Sequence, residues 1–456
     1  MRLSLSARRI SLLLLAGWLA GSASAQLPLP RFSKLPLLNG MEILVLEPPQ
    51  PSGGNVDFIL MIRNGAAFDP VEKFGATHLL TQLLMGGSDR RTGEQLQEDL
   101  AALGAKIDVV VEFDAIYFRG NAPPDRVADT LNVLGEIVVR PGFDEAIFER
   151  LKQQLLNELA TESNNSSIRN LNVFRAELFG QNPYGHSVKG NPETVANLSL
   201  IDMKIQYRRL FLPNQSQLAL YYSGDSSELL RIMGRAWGGW IRDDGLPFTF
   251  RQADPPAGRR IILIDSGSEE EALLHFGTLA ARLGTADFFT LKVLEHYITL
   301  SLSEWAREVT DSDQIRARVD HVAGRMPGQF ALRISSRPTH VVEYLNRLDR
   351  FFGRLRAGQV SAERLTEARE LALLEVRTEL EKPVGRLEVL LKALLNDQGI
   401  SFFAAYGPRL ERVDAKKLQD ASDRYFPANS FLALVTGDGE RLKAELEKAG
   451  TVEILN

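Results

Sequence analysis

The chain has 456 residues, 44% of them hydrophobic, no cysteine and a formal charge of −5. A chain this long and this apolar builds sizeable cores, and its length suits two domains of about 200 residues. No basic stripe interleaved with aromatics appears, so nucleic acid is not an expected partner, and no disulfide supports the fold.

Arg2, Arg8 and Arg9 precede an apolar run from Ile10 to Ala20, and Ala23-Ser24-Ala25 has the form of a cleavage site. The run is too short to span a bilayer comfortably. Residues 1–25 are therefore expected to be a secretory signal peptide, leaving 431 residues at a formal charge of −8 and no membrane anchor after cleavage. An N-terminal domain is expected over 26–246. In it, Glu42 to Leu46 and Val56 to Arg63 read as strands, followed by an apolar helix around His78. Thr92 and Gln95 have capping-box spacing for a helix from Glu94 to Leu103. Lys106 to Val111 and Ala115 to Gly120 read as a hairpin, several helices follow, and Asn191-Pro192 opens one of them.

The Pro- and Gly-rich stretch 247–258 reads as an exposed linker, and 259–456 as a C-terminal domain. There, Arg260 to Asp265 and Ala272 to Thr278 read as strands, with 265–270 as a hairpin loop between them. Asp287 to Arg307 reads as helix, Ile315 to Val322 and Gln329 to Ser335 as a hairpin, and Ser361 to Glu381 as a long helix stopped by Pro383. The two halves repeat. Tyr207 to Asn214, the run Leu218-Ala219-Leu220 and Gly224-Asp225 recur as Arg424 to Asn429, Leu432-Ala433-Leu434 and Gly437-Asp438, about 213 positions later. One long-period copy implies two homologous domains rather than a solenoid. Segregated strand and helix runs argue for α+β, each domain an antiparallel sheet with helices packed on it.

The chemistry-bearing stretch is His78-Leu79-Leu80-Thr81-Gln82. In zinc proteases of the H-x-x-E-H type, two His one turn apart hold the metal and the Glu between them activates its water. Here the first His is kept as His78, while Thr81 stands at the general-base position and Gln82 at the second ligand. A hydroxyl takes no proton from water near neutral pH, and a neutral amide is a poor zinc ligand. Alone, His78 on an apolar helix face reads as an ordinary packed histidine.

The surrounding residues, from Arg63-Asn64-Gly65-Ala66 through Leu103-Gly104-Ala105 and Asp114 to Tyr117 to Asn182-Pro183-Tyr184-Gly185-His186 and Gly190, resemble the pitrilysin/insulysin family of zinc peptidases, mitochondrial processing peptidase and its non-catalytic subunits included. The resemblance implies a clamshell of two similar domains and a third metal ligand about 75 residues beyond the second His, which lands on Glu158. It implies a degenerate site at His78, Thr81, Gln82 and Glu158, with no catalytic residue and no metal held by this chain. Leu302 to Glu308 resembles the family segment whose Arg holds the substrate peptide, which gives Arg307 a peptide-binding role; the Tyr that should follow is missing. The implied function is a catalytically inactive subunit that pairs with a homologous active zinc peptidase, zinc residing in that partner, and helps enclose peptide substrates. The alternative is an independent scaffold or peptide-binding protein that reuses the fold. Signal and resemblance together point to the periplasm, with secretion as the alternative.

Overall fold

The computed structural model describes residues 27, 31–48, 54–268, 271–308, 316–399 and 401–455. The expected signal peptide, residues 1–25, lies outside them. Two six-stranded sheets organise the chain, each with helices on both faces. The first is built from β1 (Phe32–Pro36), β2 (Glu42–Leu46), β3 (Val56–Ile62), β4 (Lys106–Val111), β5 (Ile116–Ala122) and β6 (Ser216–Tyr221), in the order β1-β2-β6-β3-β5-β4. The second uses β7 (Arg259–Asp265), β8 (Ala272–Leu279), β9 (Arg316–Val322), β10 (Gln329–Ser336), β11 (Phe431–Gly437) and β12 (Thr451–Leu455), in the order β12-β7-β11-β8-β10-β9. Position for position, β2, β6, β3, β5 and β4 correspond to β7, β11, β8, β10 and β9, so the two domains share one topology.

The sheets are mixed rather than purely antiparallel. β2 runs parallel to β6, and β7 runs parallel to both β11 and β12. The cause is connectivity: the chain returns to its sheet only after a long helical excursion, and such crossovers permit parallel pairing. For the same reason β7 and β8 are not a hairpin, since β11 inserts between them. The loop after Asp265 bridges a gap instead.

The helices that matter for the site are, in the N-terminal domain, α1 (Ala76–Met85), α2 (Gly93–Ala102), α3 (Val127–Val139), α4 (Glu145–Ser163), α5 (Ser166–Phe179), α6 (Pro192–Ala196), α7 (Leu200–Leu210) and α8 (Ser226–Trp237). The C-terminal domain follows with α9 (Ala286–Glu308), α10 (Pro338–Arg356), α11 (Ala362–Glu381) and α12 (Pro383–Leu395), and shorter helices beyond. The capping box of Thr92 and Gln95 forms at the start of α2, and Asn191 caps α6 with Pro192 in its first turn.

Phe58 to Ile62 of β3 are all fully buried, a continuous apolar run that only a strand covered on both faces can carry. The second cover comes from the other domain. Leu387, Leu390, Leu391 and Leu395 of α12 join the core of the first sheet. Phe174, Leu178 and Phe179 of α5 pack on Ile262, Ile264, Leu432 and Leu434 of the second. Each domain thus lends one helix to its neighbour's sheet. The exchange is pinned by Asn170, whose amide donates to Thr436 Oγ1 at 2.6 Å, and by the Tyr221 hydroxyl donating to Pro383 O at 3.0 Å. The stretch read as an exposed linker is also anchored: Phe248 and Phe250 pack edge-on against Phe68, and the Arg325 guanidinium lies 3.6 Å from the Phe248 ring centroid. Aromatics in a Pro-rich segment tie it to the core it crosses.

Candidate functional site

The start of α1 is fixed by the buried carboxylate of Asp69. It accepts from the Gly75 N–H at 2.9 Å, the Thr77 N–H at 3.0 Å and the Gln206 amide at 3.0 Å, so it caps donors the helix cannot satisfy itself. Burial nonetheless pushes this carboxyl up to about 7 against the pull of those donors. Gly75 has φ +93°, and a Cβ there would collide with the carbonyl of Lys189. Gly190, φ +76°, would likewise strike the carbonyl of Phe74. Two glycines therefore let the 186–190 loop lie directly on the helix start. His186 completes the contact by stacking on Phe74, ring centroids 3.9 Å apart.

That loop delivers Lys189. Its ammonium donates to Glu158 at 3.2 Å and to Glu162 at 2.7 Å, both on α4. His78 is half-buried beside this trio. Its imidazole is held below its ordinary value by burial and by the Lys189 charge, with Glu158 and Glu162 pulling the other way. His78, Glu158, Glu162 and Lys189 thus share one neighbourhood, where the two domain elements α1 and α4 meet.

The other two positions are closed. Thr81 is fully buried, and its hydroxyl donates to the His78 carbonyl at 2.8 Å within the same helix. Its only proton is spent on the backbone one turn away. Gln82 is half-buried and contributes an amide. Such a donor set does not fit a zinc ion: one imidazole is present, the exposed Glu158 carboxylate is held by an ammonium, and no second imidazole stands one turn from His78. Lys189 and Glu162 were missed from sequence alone, since the residues between them and α1 give no spacing rule. Glu162, one turn after Glu158, was the available signal.

A cleft of about 590 Å³ runs between the domains, and the 186–190 loop reaches it through Val188. Glu112 and Phe113 at the end of β4, Arg175 of α5, Val188, and Asp320 and His321 of β9 line it. β4 and β9 are the edge strands of their sheets. The floor is an inter-domain lock: the Tyr184 hydroxyl donates to the buried Asp114 carboxylate at 2.6 Å and accepts from the Met326 N–H at 3.3 Å, while the Arg325 N–H donates to Asp114 at 2.8 Å. Arg175 lies 4.7 Å from the Phe113 ring centroid, and burial lowers its guanidinium to about 10. Arg307 falls in the last turn of α9, and its side chain lies outside the described residues, as do positions 312–315, where the resemblance would place the Tyr.

Residues 44–191 match the family described as Insulinase (Peptidase family M16). The chain is 24% identical over 209 residues to cytochrome b-c1 complex subunit 1, mitochondrial, of Caenorhabditis elegans, a match covering 43% of this chain and 44% of that relative. It therefore spans less than half the length of the curated relative it matches. Over nearly its full length the fold is that of a protease from Helicobacter pylori, TM-score 0.80 at 14% identity, covering 90% of this chain and 100% of that one. It is equally that of a peptidase M16 inactive domain from Pseudomonas fluorescens, TM-score 0.80 at 15% identity, covering 89% and 98%.

Proposed function

We propose, from the premise that this chain carries a peptidase M16 (insulinase-family) domain, that it is a catalytically inactive subunit which pairs with an active zinc-peptidase homologue and forms part of its peptide-binding chamber. One observation carries the reading. The Thr81 hydroxyl at the general-base position is buried and bonded to the His78 carbonyl, while Lys189 holds the carboxylate of Glu158. Neither a base nor a free ligand set remains for hydrolysis. What remains is the cleft between two edge strands, whose backbone can pair with an extended peptide and whose mixed charges can orient it.

Pairing gains support from a relative named as a subunit of a larger complex, and the inactive state from a solved domain described as inactive. The character of residues 1–25 supports a periplasmic location for the chain, with secretion as the alternative; no helix among the described residues is long and apolar enough to cross a membrane. The test is co-expression with a homologue carrying an intact H-x-x-E-H motif, followed by size-exclusion chromatography, zinc analysis and peptide cleavage. Co-elution, with zinc in the homologue alone and activity raised by this chain, is the expected outcome. Separate elution, with the homologue equally active by itself, favours an independent peptide-binding scaffold.

A further inference from the structure

The internal repeat leads to a second cluster. Leu218-Ala219-Leu220 of β6 recur as Leu432-Ala433-Leu434 of β11, 214 positions on, and the same step carries His78 to Lys292, Thr81 to Glu295 and Gln82 to His296. Lys292-Val293-Leu294-Glu295-His296 is therefore the H-x-x-E-H pattern with lysine in its first place. It sits on α9, which follows β8 as α1 follows β3. The third position recurs too: α4 and α11 begin 217 positions apart, and Glu158 and Glu375 are each the fourteenth residue of their helix.

The side chains meet in space. One ligand atom each from Glu295, His296 and Glu375 lies within 4.8 Å of the others, the one such trio among the described residues. His296 Nε2 is 3.0 Å from Glu375 Oε2. Lys292 Nζ lies 3.0 Å from Glu295 Oε2 and 2.8 Å from the Glu375 carboxylate, so one ammonium bridges both acids. Zinc donors stand roughly 2.0–2.2 Å from the ion, and donors this close together can converge on one. His321 of β9 lies in the field of Lys292 and Glu375, and neither of its ring nitrogens has a hydrogen-bond partner. Its buried, unpaired ring nitrogens, in the field of the Glu375 carboxylate, are further available donors.

We infer that the C-terminal domain contains a metal site closed by its own lysine: His296 and Glu375 are its ligands, Glu295 stands at the place of the general base, and the Lys292 ammonium substitutes for a divalent transition-metal ion such as zinc. The ion it would take is of the zinc class, because imidazole and carboxylate donors suit it. An ammonium is a compact charge with three donors, able to satisfy two carboxylates while offering no lone pair. The N-terminal motif departs at two positions, Thr81 and Gln82, and neither departure recurs here; the one departure is Lys292, so a single substitution separates this cluster from a full ligand set.

The test uses the full mature chain. Lys292→His should raise zinc from none to about one per chain after gel filtration, and cobalt(II) in its place should give visible absorption bands. Adding His296→Ala should abolish both. In case Lys292→His folds poorly, Lys292→Ala removes the ammonium alone, and zinc should then raise its Tm while leaving the parent chain's Tm unmoved. Uptake by either variant, lost with His296→Ala, supports the site. A folded Lys292→His without zinc, together with a Lys292→Ala indifferent to it, overturns the site. Stoichiometric zinc in the parent chain, lost on His296→Ala, overturns the role given to Lys292.

Discussion

Both domains bring a helix of motif spacing against a helix bearing a glutamate, and both hold that glutamate with a lysine, but the lysines come from different places. In the N-terminal domain Lys189 arrives on a loop that two positive-φ glycines allow onto α1, and its partner Glu158 is exposed. In the C-terminal domain Lys292 belongs to the motif helix itself, and its side chain and that of Glu295 are only 13% and 15% exposed. The two glutamates are thus neutralised by two unrelated routes. The energetic weight of the two must differ. An exposed ion pair contributes little, whereas removing one partner of a buried one strands a charge in low dielectric.

Acid should separate the domains most strongly. His275 and His321 of the C-terminal domain are held by burial at about 4 and about 3. Both are neutral when folded and take up protons on unfolding below roughly pH 6.5. Their contribution is fully present above that pH and is lost as pH falls toward their folded values, a loss of up to about 3 kcal/mol for each. In the N-terminal domain, His186 at about 4 follows the same sign, but Asp69, pushed up to about 7, opposes it. Its contribution is present at low pH and is lost as pH rises through 7. Between pH 6.5 and 4 the C-terminal domain should therefore open first. Hydrogen exchange at the two pH values measures this, with early loss of protection expected in β8 to β10. His275→Leu should lower the pH at which it happens, and uniform loss across both sheets would break the comparison.

Next in size is Lys292→Met. It removes the ammonium from Glu295 and Glu375 and should cost about 2–3 kcal/mol, less than a fully buried pair because Glu375 is 48% exposed. Denaturant unfolding at pH 7 measures it. Lowering the pH should recover part of the loss, since Glu295, already raised by burial, can then be protonated. A change within about 0.5 kcal/mol would mean that water screens this cluster as well as it screens the other.

Much of this architecture was legible in the sequence. Buried strands such as Phe431 to Gly437 announce themselves as apolar runs, and the copy of that run near Leu218 implies two like domains. Capping chemistry at Thr92 and Asn191 acts over three residues and needs no tertiary knowledge. What the sequence hid are relations across the chain. The parallel pairing of β2 with β6 depends on how the chain returns, and the exchange of α5 and α12 on how two domains close. Lys189 is invisible because a loop brings it in. The cluster at Lys292 is hidden for another reason: a lysine stands where the pattern has its first histidine, and only the 214-residue repeat from His78 marks the place.

The smallest expected effect is the most discriminating for the N-terminal site. Lys189→Met removes an ammonium that is 34% exposed from two carboxylates, of which Glu158 is 57% exposed, so it should cost less than about 1 kcal/mol. The imidazole of His78 should respond more than the stability does. With the Lys189 charge gone and Glu158 and Glu162 left unopposed, its pKa should rise, which proton NMR of the ring resolves. The same variant decides whether this centre can be rebuilt. Thr81→Glu with Gln82→His restores a base and a ligand in sequence terms. Yet Glu158 stays engaged by Lys189, and the new carboxylate must enter a site where Thr81 is fully buried. Zinc uptake is therefore expected only when Lys189→Met is added, and weakly even then, whereas Lys292→His suffices alone in the other domain. Tight zinc binding by the double variant with Lys189 intact would show that the loop lysine yields to a metal, and the contrast between the two domains would fail at that point.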